Sequence, residues 1–420
     1  MKNEIGHYIV NGNIFTNKLS AILEAQKTNA DISWHFYDDV FEKVNWNIEP
    51  AMSLDALYML RAKQIREAYD YVVVFCSGGA DSNNVIRTFL NNNIRVDEVI
   101  AMAPVSGLKN WNWNDKDTSP YNTMSETKYA QFPLLDEISN KDANIKITIL
   151  DNFDDMVGVQ TDEWIYDTKI EYVSPVTKNH GKLDKLKHLN DLAENGKRIA
   201  AVWGIDKPVI GIDHSGNIYT IIADIGTTSR VQEPFALTYP NVDRVFFYWS
   251  HEMPELMVKQ AHVVAREMLR PENVAIYNAV VATSKDRAAP EVDESVDNIL
   301  ARLIPFSSDK WRLPNIVKNS PRSIFQRSIV PMIYPSTYTR ELFQCEKFDS
   351  KQSFFVEHQS WFYQLHGNTI NKEMIASDFK LFYKSLSPKY INKWKTGFKI
   401  FSKSYMIGNK KDFLSVAFSK

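Results

Sequence analysis

The chain alternates apolar runs with polar, glycine-bearing turns. Residues 71–75, YVVVF, form an unbroken apolar run, as a parallel strand needs when both faces are covered. VDEVIAMA (96–103), IKITIL (145–150) and RIAAVWG (198–204) predict three further strands. Between the first two, SNNVIRTFLNNN sets Val85, Ile86, Phe89 and Leu90 on one helical face. KLDKLKHLNDLAENGK (182–197) predicts a helix stopped by Gly196. VIGIDHSGNIYTIIAD (209–224) predicts a hairpin turning at Ser215-Gly216. Strands alternating with helices predict an α/β fold with a doubly wound, mostly parallel sheet.

The flanks read differently. SLDALYMLRAKQIREA (53–68) predicts an amphipathic helix with Ser53 as N-cap and Leu54, Leu57, Leu60 and Ile65 on its apolar face. Residues 1–50 are polar and aromatic, and Phe36, Phe41 and Trp46 are expected to pack under a cap. Residues 104–130, rich in Asn, Trp, Asp and Ser, predict a long loop of the kind that often carries function. PELMVKQAHVVAREMLR (254–270) predicts a helix with Pro254 in its first turn. The remainder is expected to be mostly helical, with a linker at 285–297.

Composition narrows the class. Hydrophobic residues make up 44% and charged residues 24%, which is ordinary for a soluble globular chain. The net charge of −2 gives no global attraction to nucleic acid or membrane. Two cysteines, Cys76 and Cys345, cannot build a disulfide framework or a four-thiolate zinc site. No segment approaches the ~20 apolar residues of a membrane span, and MKNEIGHYIVNGN lacks the apolar core of a signal peptide. A reducing, cytoplasmic location is expected.

The candidate chemistry follows the first strand, at Ser77-Gly78-Gly79-Ala80-Asp81-Ser82. Glycines allow a tight turn and close backbone approach to a ligand. Such a loop entering a helix N-terminus is an anion site, and the hydroxyls of Ser77 and Ser82 add donors. Asp81 would repel an anion unless a divalent cation lies between them, and a carboxylate with phosphate oxygens suits Mg²⁺. These residue types predict a nucleoside triphosphate with its metal. GxxxxGK[ST] and GxGxxG are both absent.

The stretch resembles the SGGxDS signature of the PP-loop ATP pyrophosphatases, whose sheet is HUP-like. The resemblance covers roughly residues 69–225. It implies that ATP activates a carboxylate or carbonyl oxygen as an adenylate, releasing pyrophosphate, and that an amine, ammonia or sulfur species then displaces AMP. It also implies that residues 77–82 bind the pyrophosphate, with Asp81 on Mg²⁺. The layout is closest to asparagine-synthetase-like members without their glutaminase, since position 2 is Lys2 and no cysteine precedes Cys76. Nitrogen would come from free ammonia, a substrate amine or an ammonia-supplying partner. The chain is also similar to uncharacterised PP-loop proteins of bacteriophages, which would place it in the host cytoplasm. On this reading residues 1–68 are an N-terminal cap region, 69–225 the nucleotide-binding domain, and 226–420 a helical substrate or partner domain.

A second candidate is AVWGIDKP (201–208), just past a predicted strand. There Gly204 permits close approach, Asp206 is a candidate second Mg²⁺ ligand, and Lys207 is a candidate catalytic lysine beside Asp81. The alternative for this stretch is a hairpin turn with a surface ion pair. His251, Glu252 and His262 lack zinc-helix spacing and are expected to be structural. Cys76 is expected to be a small buried hydrophobe. From Lys380 to Lys411 nine lysines occur without Asp or Glu, interleaved with aromatics such as Tyr390, Trp394 and Tyr405. That is either a nucleic-acid face or a solvated helix face with core aromatics. Two functions follow: an adenylating enzyme acting on a small carboxylate or a nucleobase, as in a tRNA- or DNA-modifying member, or a non-catalytic nucleotide- and nucleic-acid-binding protein.

Overall fold

The computed structural model describes residues 7–15, 18–103, 105, 131–151, 186–204, 208–213, 215–222, 241–271, 387 and 402–417. The expected linker at 285–297, residues 106–130 of the expected loop, and most of the lysine-rich stretch lie outside them. The N-terminal part opens with β1 (His7–Val10), β2 (Asn13–Phe15), α1 (Lys18–Thr28), β3 (Ile32–His35), α2 (Asp38–Phe41) and α3 (Leu54–Ala68). The first three strands form an antiparallel sheet in the order β2-β1-β3.

The four predicted strands exist as β4 (Tyr71–Cys76), β5 (Glu98–Ala103), β6 (Lys146–Asp151) and β7 (Ile199–Trp203). With them run α4 (Ala80–Asn91), α5 (Phe132–Lys141) and α6 (Lys187–Glu194). The predicted hairpin is β8 (Pro208–Ile212) and β9 (Asn217–Ile222). At its turn the Asp213 Oδ1 accepts from the backbone N of Ser215 and Asn217 at 2.8 and 2.9 Å, and Gly216 sits at φ +81°. Next come β10 (Val242–Phe246), α7 (Pro254–Met268), β11 (Tyr405–Asn409) and α8 (Lys410–Ala417).

One five-stranded sheet, in the order β10-β7-β4-β5-β6, organises these elements, and every pairing in it is parallel. Successive strand residues face opposite sides, so β4 divides its side chains between two cores. Val72, Val74 and Cys76 pack with α3, α4 and α5. Val73 and Phe75 pack with Leu189 and Ala193 of α6, Met257 and Ala261 of α7, and the aromatics Phe36, Phe41 and Trp46. Helices therefore cover both faces, which is why β4 had to be apolar throughout.

Three expectations change. Strand β10 takes an outer place in the sheet although it lies past residue 225, where the nucleotide-binding unit was expected to end. Its two charged residues, Asp243 and Arg244, are tolerated because an edge strand is only partly covered. Residues 1–68 do not stand apart as a cap, since α3 covers one face of the sheet while Phe36, Phe41 and Trp46 join the core on the other. Finally, the buried stripe of α3 runs through Leu57, Tyr58, Arg61, Ala62 and Ile65, leaving Leu60 at 37% exposure. Ser53 does cap this helix, accepting from the Ala56 N at 3.2 Å.

The N-terminal edge of the sheet is fastened by Asp97. Its Oδ2 accepts from the Val72 N at 2.8 Å and from Arg66 Nη1 at 2.5 Å. Removing the carboxylate strands a buried amide and a guanidinium together. Asp97→Ala is expected to lower unfolding free energy by about 3–5 kcal/mol in urea denaturation. Ile48→Ser, at a side chain 64% exposed, is expected to change it by no more than about 0.5 kcal/mol.

Candidate functional site

Strand β4 stops at Cys76, and three residues, Ser77, Gly78 and Gly79, turn the chain into α4. The turn stands where the sheet reverses its order: β5 and β6 lie to one side of β4, β7 and β10 to the other. In open α/β sheets the crevice at that reversal, beyond the carboxyl ends of the strands, is where ligands bind. Gly204, which ends β7, borders the same place.

Each glycine has its own reason. Gly78 lies at φ +86°, a region L side chains rarely adopt. A Cβ there would also fall 2.5 Å from the backbone N and Cα of Gln131. Gly79 is the N-cap of α4, with extended φ and ψ of −66° and 168° and no side-chain cap on the helix. At Gly204 a Cβ would meet Val85 Cγ2 at 2.9 Å and the Asp81 O at 3.0 Å. The close approach at Gly204 is thus to the first turn of α4, and it draws the end of β7 against the loop.

The serines brace the turn. Ser77 Oγ accepts from the Gly79 N at 3.2 Å, Ser82 Oγ donates to the Gly79 O at 3.2 Å, and the two hydroxyls are 3.3 Å apart. Ser77 is exposed while Ser82 is buried. Asp81 lies in the first turn of α4, half-buried. Ala80 is the first helical residue. Asp206 and Lys207 lie outside the described residues. Among the described residues no cluster of three or more His, Cys, Asp or Glu side chains forms a metal site.

Two residues that sequence reasoning missed hold the loop. Tyr248, just past β10, donates its hydroxyl to the Asp81 O at 2.8 Å and accepts from Asn84 Nδ2 at 3.1 Å. Gln131 is buried and donates from Nε2 to the Cys76 O at 2.7 Å, so the start of α5 is tied to the end of β4. No spacing rule connects residues 131 and 248 to residue 81. The available signal was two asparagines, Asn83 and Asn84, at the start of an amphipathic helix, where each needs a buried partner. Asn83 Oδ1 accepts from Arg87 Nε at 2.8 Å, and Arg87 grips both carboxylate oxygens of Glu137 on α5.

The other candidates that are described make packing contacts. Cys76 is buried, and His251 stacks on Tyr37 with ring centroids 3.9 Å apart. His262 is buried and hydrogen-bonded to the Trp46 O. In the lysine-rich stretch Lys403 pairs with Glu42, while Tyr405 is buried and stacked on Trp46 at 4.6 Å. Comparison with protein-family models gives no match, and comparison with curated proteins gives none either.

Burial, then the Asp81 carboxylate, then Tyr58 push the Tyr248 hydroxyl well above the usual tyrosine range. Burial, Asp81 and Asp55 do the same to Tyr58. Below pH ~10 both rings are neutral in the folded and unfolded chains. Above it the unfolded chain releases its protons first, so stability falls as pH rises. Tyr248→Phe is expected to lower stability at pH 7 by about 1–3 kcal/mol. It is also expected to make the alkaline decline shallower by about 1.4 kcal/mol per pH unit. Denaturation at pH 7, 10 and 11 checks both.

Proposed function

We propose that the chain is an ATP-dependent adenylating enzyme of the PP-loop, HUP-like kind, which forms an amide or related C–N bond. The observation that carries this reading is the position and shape of the loop: SGGADS at the reversal of strand order, Gly78 at positive φ, and a helix start with no side-chain cap. Those features suit an oligophosphate rather than a neutral ligand, because backbone N–H groups and the helix dipole converge there.

In this reaction a carboxylate or carbonyl oxygen of the acceptor attacks the α-phosphorus of ATP. The bond from that phosphorus to the bridging oxygen breaks, and pyrophosphate leaves with the electron pair. Ammonia or an amine then attacks the activated carbon, the bond from that carbon to the adenylate oxygen breaks, AMP departs with that oxygen, and one proton is released. The loop N–H groups and the Ser77 hydroxyl hold the pyrophosphate portion, where negative charge grows in the transition state. Mg²⁺ fits Asp81, a half-buried carboxylate in the first turn of α4, and would neutralise phosphate charge there. Asp206 is proposed as a second Mg²⁺ ligand and Lys207 as a phosphate contact. The acceptor is a small carboxylate or a nucleobase, the latter reached through the lysines of 380–411. A cytoplasmic setting and an ammonia-supplying partner belong to the same proposal.

The test is pyrophosphate release from ATP and Mg²⁺ in the presence of amino-acid, tRNA or DNA pools. Release is expected to need one pool and to fall by about 10²–10³ in Asp81→Asn. ATP binding without release in any pool would instead support a non-catalytic nucleotide-binding protein. An absence of ATP binding would remove both readings.

A further inference from the structure

A cavity of about 460 Å³ opens between α7, residues 47–49, and the β11–α8 unit. Its volume lies in the range of small-molecule sites, about 300–1,000 Å³, and none of its lining residues belongs to the nucleotide loop. We propose that it binds an uncharged, flat molecule carrying one N–H or O–H donor, which His262 accepts.

His262 lines the cavity and is 5% exposed. Its Nε2 lies 2.9 Å from the Trp46 O. A carbonyl oxygen only accepts, so Nε2 carries the proton and Nδ1 keeps a lone pair. A ring that lines the cavity with Nε2 engaged in this way offers a ligand Nδ1 as its acceptor. Burial lowers the ring's proton affinity, which keeps this acceptor neutral near pH 7.

The charges at the cavity cancel. Glu49 is gripped by both terminal nitrogens of Arg266 and by Lys259 at 2.7 Å. Burial opposes its ionisation, but these two cations hold the Glu49 carboxyl below its usual range. Asp412 is committed to the N-terminus of α8, where its Oδ2 accepts from the Asn409 N at 3.1 Å. Glu49 and Asp412 line the cavity with Arg266, and Lys259, which is bound to Glu49 but does not line it, supplies the second positive charge, so the net charge beside the cavity is balanced. Asn47 and Asn409 also line it, with Asn409 Nδ2 donating to Asn217 Oδ1 at 3.0 Å and its Oδ1 accepting from the Lys411 N at 3.1 Å, and the apolar wall is Met406, Ile407 and Phe413. Phe413 stacks on His262 at 5.2 Å. It reaches that place because Gly408, at φ +143°, has no Cβ, which would fall 2.9 Å from Phe413 Cε2. A flat apolar body fits against Met406, Ile407 and Phe413, with one donor directed at Nδ1.

Indole and 1-methylindole differ by the single donor that matters. Each is titrated into the full-length chain while the imidazole nitrogens of His262 are followed by NMR. Indole is expected to bind saturably, with shifts at His262, and at least tenfold more tightly than 1-methylindole. Met406→Trp, which fills the cavity from its mouth, is expected to abolish binding. His262→Phe is expected to erase the preference between the two probes. Absence of saturable indole binding, equal affinity for both probes in the wild type, or a preference that survives His262→Phe would overturn the proposal.

Discussion

Strand β4 is hydrogen-bonded on both sides and covered on both faces, and that constraint fixes what happens where it ends. A strand so enclosed cannot turn within its layer, so the chain must leave through the carboxyl edge and return as a helix. The turn is crowded by Gln131 from α5 and by the end of β7. Only glycine fits at positions 78 and 204 in those surroundings. The same crowding leaves the start of α4 exposed to the crevice without a side chain across it. The proposed anion site would therefore be a consequence of how the sheet is packed, and not an addition to it.

The polar groups around the loop follow from the same burial. Asn83 and Asn84 enter the core with α4, where Arg87 donates to the Asn83 Oδ1 and Tyr248 accepts from the Asn84 Nδ2. Tyr248 in turn fixes the Asp81 backbone, so the far strand β10 helps to set the position of the proposed metal carboxylate. Arg87 and Glu137 bind α4 to α5, and Gln131 binds α5 to β4. The loop is thus held from three directions by residues distant in sequence.

Much of the sheet was legible because β4 and β7, in the middle of the sheet, are continuous apolar runs, while β5 and the edge strand β6 keep enough apolar residues, Val99, Ile100, Ile147 and Leu150 among them, to read as strands. Strand β10 was not legible, since Asp243 and Arg244 interrupt it and its edge position makes that interruption tolerable. Strand β11 was hidden in a lysine-rich stretch whose aromatics read either as a nucleic-acid face or as the core side of a helix; Tyr405 is a core aromatic, stacked on Trp46, but on a strand. At the site, Ser77 to Ser82 were legible from local chemistry. Gln131 and Tyr248 were not, because their roles come from tertiary contacts that leave no periodic trace.

The central claim is that the turn after β4 is the seat of a nucleoside triphosphate. The direct measurement is a titration of MgATP into the chain labelled with ¹⁵N-glycine and ¹⁵N-serine, read residue by residue. The account predicts that the largest saturable amide shifts fall on Ser77, Gly78, Gly79 and Ser82, with Gly204 following through its contact with α4. Saturable shifts elsewhere with these amides unmoved, or no shift at millimolar MgATP, would contradict it.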